Sequence, residues 1–441
     1  MHQKNSYTKV IESLGFDIQA QTMTNKIDFI NEKTAKIIEQ DNEKIGIPGF
    51  SAALITGKNQ ITPFCRGKSL KGQDLDKDSQ FQAASLSKPV FAYLVLRLIA
   101  SQKYTDIQGQ HFDLDTRLDK IFSEQELEGK FQAGKDEVNN INLTYKEWFK
   151  SLTPRMLLSH TAGFPIYYDP SKLPPFQFEP GTRFCYSGPG IALLQEAVDK
   201  ITGSNLQTLA QQFVFDHCAM SNSTFEWDEE TKAKKPQANL KPNAANSLKT
   251  TASDYANFIW EWMHDKTIPN AFAPQKSMKT LFTPEDWLID ATWQTDKEHE
   301  IRHKTKLEKA REQVAWGLGI GLQVDNSGTA TAAYHNGDMD EYRAFVAVDL
   351  QNRDKAIVYF ANSFNGFALV SQIINPQIPL EHAFHHFSQT FGFALNVDEL
   401  ENNFNKLGLQ PSRSQRLQYA PEPKHTTSEI LEEPTGICSA P

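Results

Sequence analysis

Runs with the two-residue apolar texture of β-strands stand near both ends of this chain, and that placement restricts the fold more than any other feature. Near the start, GFSAALITG and QITPFCRGK flank a Gly57-Lys58-Asn59 turn and read as a hairpin. After Val314 come WGLGIGLQV, TATAAYHNG, YRAFVAVDL and KAIVYFANS, punctuated by turns at Asp325–Gly328 and Gln351–Asp354. Connections this short make neighbouring strands antiparallel. The middle, residues 103–310, is mostly helical or irregular and rich in proline and aromatic residues. The arrangement that satisfies all of this is one antiparallel sheet assembled from both ends, with a helical lobe inserted. On this reading the sheet lobe takes residues 24–84 and 314–409, and the helical lobe 85–313. Ile27, Phe29, Ile30, Ile37 and Ile38, spaced among charges, predict a surface helix within 24–44. No internal repeat is visible. Beyond Leu409 the chain turns polar, proline-rich and aperiodic, so residues 410–441 are expected to form a flexible tail.

Composition narrows the class. With 441 residues, 39% hydrophobic and 22% charged, the chain can bury the core of a two-lobed globular domain. A formal charge of −9 argues against a nucleic-acid binder, which needs a basic face. The apolar run after Lys88 is short for a membrane span and carries Arg97. The opening MHQKNSYTKVIESLGFDIQAQ lacks the apolar core of a secretory signal. Cys65, Cys185, Cys218 and Cys438 are scattered, without metal-type spacing or a disulfide framework. The expected compartment is therefore the reducing cytoplasm.

Chemistry is suggested first by QAASLSK (Gln82–Lys88), which leads into PVFAYLVLRLIA. Pro89 has no N–H and is tolerated only in a first helical turn, so a helix must begin close to Ser85. The Ser85 hydroxyl then lies at the positive end of the helix dipole, where negative charge is stabilised. Lys88, three residues on, shares that face and can reach the hydroxyl. A desolvated lysine in such a place can accept a proton. A serine capping the helix beside a bystander lysine is the competing reading, and Ser-x-x-Lys alone does not decide between them. Two later features bear on it. Tyr186 falls just before a glycine-rich turn feeding an apolar helix, and Tyr334-His335-Asn336-Gly337 ends a strand.

In this order the chain resembles the serine β-lactamase-like family, which includes class C β-lactamases, D-alanyl-D-alanine carboxypeptidases and related esterases. The likeness runs from Ile47 to Ser363. It passes through IPGFSAALI, the Ser85-Leu86-Ser87-Lys88 element, LDTRLDKIF (Leu114–Phe122), LTPRMLLSHTAGFP (Leu152–Pro165) and FEPGTRFCYSGPG. AMSNSTF (Ala219–Phe225), NSLKTTASDYANF (Asn246–Phe258), WGLGIGL, YHNG and YFANS complete the series. The resemblance implies an α+β, β-lactamase/transpeptidase-like fold over residues 24–409, its antiparallel sheet flanked by terminal helices and its active site in the cleft between lobes. It implies that Ser85 is the nucleophile of an acyl-enzyme and that Lys88 and Tyr186 share the base role. It further implies an oxyanion hole from the backbone N–H groups of Ser85 and Asp338, with His335, Asn336 and Gly337 on the substrate strand. No cofactor or metal is expected; the expected partner is a small ester or amide, and no protein partner is indicated.

Three departures from the family pattern bear on substrate. The family's Tyr-x-Asn is Tyr186-Ser187-Gly188 here, so the amide that would hold a peptide or β-lactam side chain is missing. Glu341 replaces a glycine usual four residues after Gly337 and is expected to narrow the pocket mouth and disfavour anions. His335 stands where β-lactamases carry lysine, as in esterase-like branches. Tyr167, Tyr168, Phe176 and Phe178 either line an apolar site or serve packing. The favoured activity is that of an esterase-like serine hydrolase. A β-lactamase or D-Ala-D-Ala carboxypeptidase is the first alternative, and a non-catalytic scaffold of the same fold the second.

Other patterns carry less. His299-Glu300-Ile301-Arg302-His303 matches a zinc-protease motif, but its surroundings are charged on every face, unlike a buried metal helix. His382, His385 and His386 read as a helix surface. Cys438 is fourth from the end, yet the following Ser-Ala-Pro and the acidic residues upstream disfavour prenylation. The tail reads first as disordered; it also resembles the C-terminal signals of proteins exported by type IV secretion, a non-Sec route.

Overall fold

The computed structural model describes residues 46–127, 142–165, 176–234, 240–277 and 313–383. The expected 24–44 helix, Tyr167, Tyr168, the His299–His303 segment, His385, His386 and the tail with Cys438 lie outside the described residues.

Both ends of the described chain meet in one eight-stranded sheet, ordered β2-β1-β10-β9-β8-β7-β6-β5. Its strands are β1 (Gly49–Ile55), β2 (Ile61–Gly67), β5 (Lys276–Ser277), β6 (Val314–Trp316), β7 (Gly321–Val324), β8 (Ala330–Met339), β9 (Tyr342–Asp349) and β10 (Ala356–Ala361). Every pairing is antiparallel. β1 and β2 form the expected hairpin, with Ile55 opposite Ile61 and Asn59 in the turn at φ 57°. β1 also pairs with β10 from Phe50↔Ala361 to Ile55↔Ala356, which joins the early hairpin to the late strands.

Strand periodicity explains how the sheet is covered on both faces. On β9, Ala344, Val346 and Val348 join the core that contains the helices, while Phe345 and Ala347 pack with Phe367, Leu369 and Ile373 on the other side. The helices are α1 (Ser87–Ser101), α2 (Asn142–Ser151), α3 (Pro154–Leu158), α4 (Gly188–Thr202), α5 (Leu206–Ala210), α6 (Glu229–Lys234), α7 (Ala252–His264) and α8 (Val370–Ile373). α7 packs on β1 and β10, and β5 pairs with β6 through Lys276↔Trp316. The sheet thus draws on residues from the stretch read as the inserted lobe.

α1 is the central core helix. The 18-residue stretch Ala84–Ser101 has a mean hydropathy of 1.3, enough to cross a membrane by length and composition. Here that apolarity is used in packing, since every residue from Ser87 to Leu96 is buried. A two-stranded ribbon of β3 (Phe81–Gln82) and β4 (Lys249–Thr250) delivers the chain to the start of α1.

Candidate active site

Ser85 sits inside a single 3-10 turn, Ala84–Leu86, that precedes α1. Leu86, not Ser85, takes the cap position of α1 and makes no side-chain cap bond, so the capping reading of Ser85 does not apply. Ala84 has φ 48°, a left-handed conformation that costs a residue with a Cβ about 1–2 kcal/mol. Neighbouring segments hold the turn in place. Ala83 N–H donates to Leu248 O (2.8 Å), Ser87 Oγ to Ala84 O (2.6 Å), and the Tyr255 hydroxyl of α7 to Leu86 O (3.0 Å).

Lys88 Nζ donates to Ser85 Oγ at 2.8 Å and to Ala245 O at 2.9 Å. Both side chains are buried, and burying an ammonium is costly without such partners. Tyr186 arrives from a separate element, two residues before α4. Its neighbour Ser187 caps that helix by accepting the Gly190 N–H at 3.1 Å. Lys88 Nζ lies 4.8 Å from the centre of the Tyr186 ring, and the His335 ring lies 5.9 Å from it. The structure therefore brings Ser85, Lys88, Tyr186 and His335 into one cluster from α1, the start of α4 and β8.

β8 presses on the turn that carries Ser85. A Cβ on Gly337 would stand 2.4 Å from Ala83 O and 3.3 Å from Ala84 Cβ, so only glycine allows this approach. His335 shares the Gly337 face; Asn336 and Asp338 alternate to the opposite one. There Asp338 meets Arg343 at 2.7 Å with both side chains fully buried, and the Arg343 guanidinium lies over Phe364 and Phe367. This anchors the backbone at Asp338 beside the turn. Glu341 sits with Asp340 at the tip of the β8–β9 hairpin, where Asp340 takes φ 48°.

His335 Nδ1 lies 2.7 Å from Asn336 O, which makes Nδ1 the protonated nitrogen. Burial, reinforced by Lys88, pushes the His335 pKa down to about 3. The strand therefore presents a neutral imidazole where a lysine would present a charge.

His160 was not among the residues singled out in the sequence, although its segment was. It lies in the same cluster, its ring 4.4 Å from Tyr186 and 5.3 Å from Trp316. Burial, then Lys88 and His335, hold its pKa well below the usual histidine value. Its φ of 55° was the hidden signal, and sequence does not print backbone angles. Phe176 packs on Phe164, Tyr145 and Trp148, so at this position the packing reading holds. Among the described residues no His, Cys, Asp or Glu cluster is suited to a metal ion, and Cys65, Cys185 and Cys218 are free thiols.

Comparison with known proteins bears on this arrangement. The Beta-lactamase family model matches residues 34–372. No curated protein matches the chain. Among solved structures, a class C beta-lactamase is similar at 16% identity, covering 76% of this chain and 90% of its own, with a TM-score of 0.51. A putative beta-lactamase from Bacteroides dorei DSM 17855 is similar at 17% identity, covering 74% and 89%, TM-score 0.51. A D-alanine carboxypeptidase from Burkholderia cenocepacia is similar at 16% identity, covering 84% and 99%, TM-score 0.51. At these identities the structural likeness concerns the fold.

Proposed function

We propose, for a chain that belongs to the Beta-lactamase family of serine hydrolases, the hydrolysis of small, neutral acyl esters through an acyl-enzyme on Ser85. The observation that carries the reading is the 2.8 Å contact between Lys88 Nζ and Ser85 Oγ, buried beside Tyr186 at the start of a core helix. In this mechanism the Ser85 oxygen attacks the carbonyl carbon and its proton passes to the Lys88–Tyr186 pair. The carbonyl oxygen becomes an oxyanion held by the backbone N–H groups of Ser85 and Asp338. The tetrahedral centre collapses, the pair returns the proton to the departing alcohol, and Ser85 is left as an ester. Water, deprotonated by the same pair, then releases the acid and restores the hydroxyl.

Two features support a neutral ester. Gly188 offers no side-chain amide, and His335 is held neutral where a carboxylate-bearing substrate would call for a cation. β-Lactam or D-Ala-D-Ala processing would use the same residues and differs in what the strand must hold. Comparing kcat/KM for a short-chain p-nitrophenyl ester and for nitrocefin on one preparation tests the choice. Ester turnover well above nitrocefin turnover, with both abolished in Ser85→Ala, is expected. A nitrocefin value equal to or above the ester value would move the assignment to a β-lactamase.

A further inference from the structure

We infer that His160 is the positioning residue for Tyr186: it brackets the tyrosine by accepting one backbone N–H on each side of it. The inference rests on the reading of Tyr186 as part of the acylation machinery. Cys185 N–H donates to His160 O at 2.9 Å, and Ser187 N–H donates to His160 Nδ1 at 3.1 Å. One residue thus satisfies the donors immediately before and after Tyr186, while its ring packs on the tyrosine ring between them. The flanking chain is joined in the same way. Gly181 N–H donates to Thr161 O at 2.7 Å, and Ser187 Oγ to Pro165 O at 2.9 Å.

The conformation of His160 points to a use for its side chain. α3 ends with Thr161 N–H returning to Met156 O (2.9 Å) and His160 N–H to Leu157 O (3.4 Å). This is the helix ending in which the penultimate position is left-handed and usually glycine, sometimes asparagine. His160 occupies that position at φ 55° and is buried. A glycine would take this backbone at no steric cost, but it has no Nδ1 for Ser187.

Accepting through Nδ1 requires the neutral ring with its proton on Nε2. The charged groups facing it agree with that state. Burial disfavours a charged ring most, Lys88 of α1 repels a second positive charge, and His335 of β8 faces it as a neutral ring.

Three substitutions in the full-length protein separate the acceptor from the ring and from the backbone. Asparagine keeps an acceptor near Nδ1 and tolerates the left-handed angle. Glycine keeps only the angle, and phenylalanine only the ring. The readout is the second-order rate of fluorophosphonate labelling of Ser85, followed by intact mass, alongside Tm. His160→Asn is expected to label within about tenfold of wild type, and His160→Gly and His160→Phe about 10²-fold more slowly, the cost of a displaced catalytic group. Equal rates for His160→Asn and His160→Gly, or a wild-type rate for His160→Phe, would overturn the inference. The imidazole ¹⁵N signals of wild type, assigned by their loss in His160→Asn, provide a readout independent of activity. A neutral ring protonated on Nε2 is expected, and protonation on Nδ1 would refute the bracket. Wild-type labelling in Tyr186→Phe would instead remove the catalytic reading of Tyr186 while leaving the ¹⁵N result intact.

Discussion

Two imidazoles, His160 and His335, are buried beside the Tyr186 ring, and both are held neutral by burial and by the nearby Lys88. Their effect on stability has a definite sign. In the unfolded chain each takes up a proton near pH 6.5, whereas folded His335 does so only near 3. Between those values the unfolded state binds the extra proton, so the stability present above 6.5 is lost as pH falls toward 3. The loss amounts to about 1.4 kcal/mol per pH unit for each such histidine. Urea midpoints measured at pH 7 and pH 5 should therefore fall together with pH in wild type. The fall should be smaller in His335→Gln and in His160→Asn, and an unchanged slope in both variants would contradict this account. The same shift means that His335 contributes no titration between pH 5 and 8, so an inflection there in the ester kcat/KM profile that disappears in His335→Gln would count against its buried, neutral state.

At the scale of elements, the site depends on how closely β8 approaches the turn that carries Ser85. Gly337→Ala would place a methyl group 2.4 Å from Ala83 O, where only backbone movement can relieve the clash. The expected result is a loss of about 1–3 kcal/mol of stability, typical of overpacking, together with about a 10²-fold lower kcat on the proposed mechanism, in which the Asp338 N–H holds the oxyanion. Thermal unfolding and ester turnover on the same variant check both. That constraint was not legible in the sequence: Gly337 was visible as part of a motif, but the atom it must avoid lies more than two hundred residues away in the chain. What could be read was local. Pro89 announced the start of α1, the Gly57–Asn59 turn announced the β1–β2 hairpin, and short apolar runs separated by turns announced β9 and β10. The ribbon of β3 and β4 and the edge strand β5 were missed because two-residue strands carry no periodicity. α7 carries a helical pattern, but its placement on β1 and β10 follows from tertiary packing that the pattern does not encode. Of the site, the family motifs made Ser85, Lys88, Tyr186 and His335 recognisable; the bracket by His160 depends on a backbone angle and a distance.

At the scale of the molecule, one continuous apolar core among the described residues runs from α1 through α7 to the inner face of the sheet. Phe360 on β10 lies at a junction of that core. It stacks on Phe81 at 5.8 Å and meets Tyr255 of α7 edge-on at 5.9 Å. Phe360→Ala should cost about 3–5 kcal/mol, as for a large aromatic removed from a packed core. Because the core is continuous, far-UV circular dichroism and tryptophan fluorescence should report one shared urea transition that moves as a whole in this variant. Two separated transitions would show that the lobes unfold independently. The pairing of β1 with β10 has a consequence of its own. Gly49 donates to the Asn362 side chain across 313 positions, so the first strand of the sheet waits for nearly the last. A ribosome that has finished Ser85, Lys88 and Tyr186 has not yet made Gly337 or Asp338. A nascent chain therefore carries Ser85 and Lys88 before it has the strand that packs against their turn, and the cluster is complete only when the late strands emerge and dock beside the early hairpin.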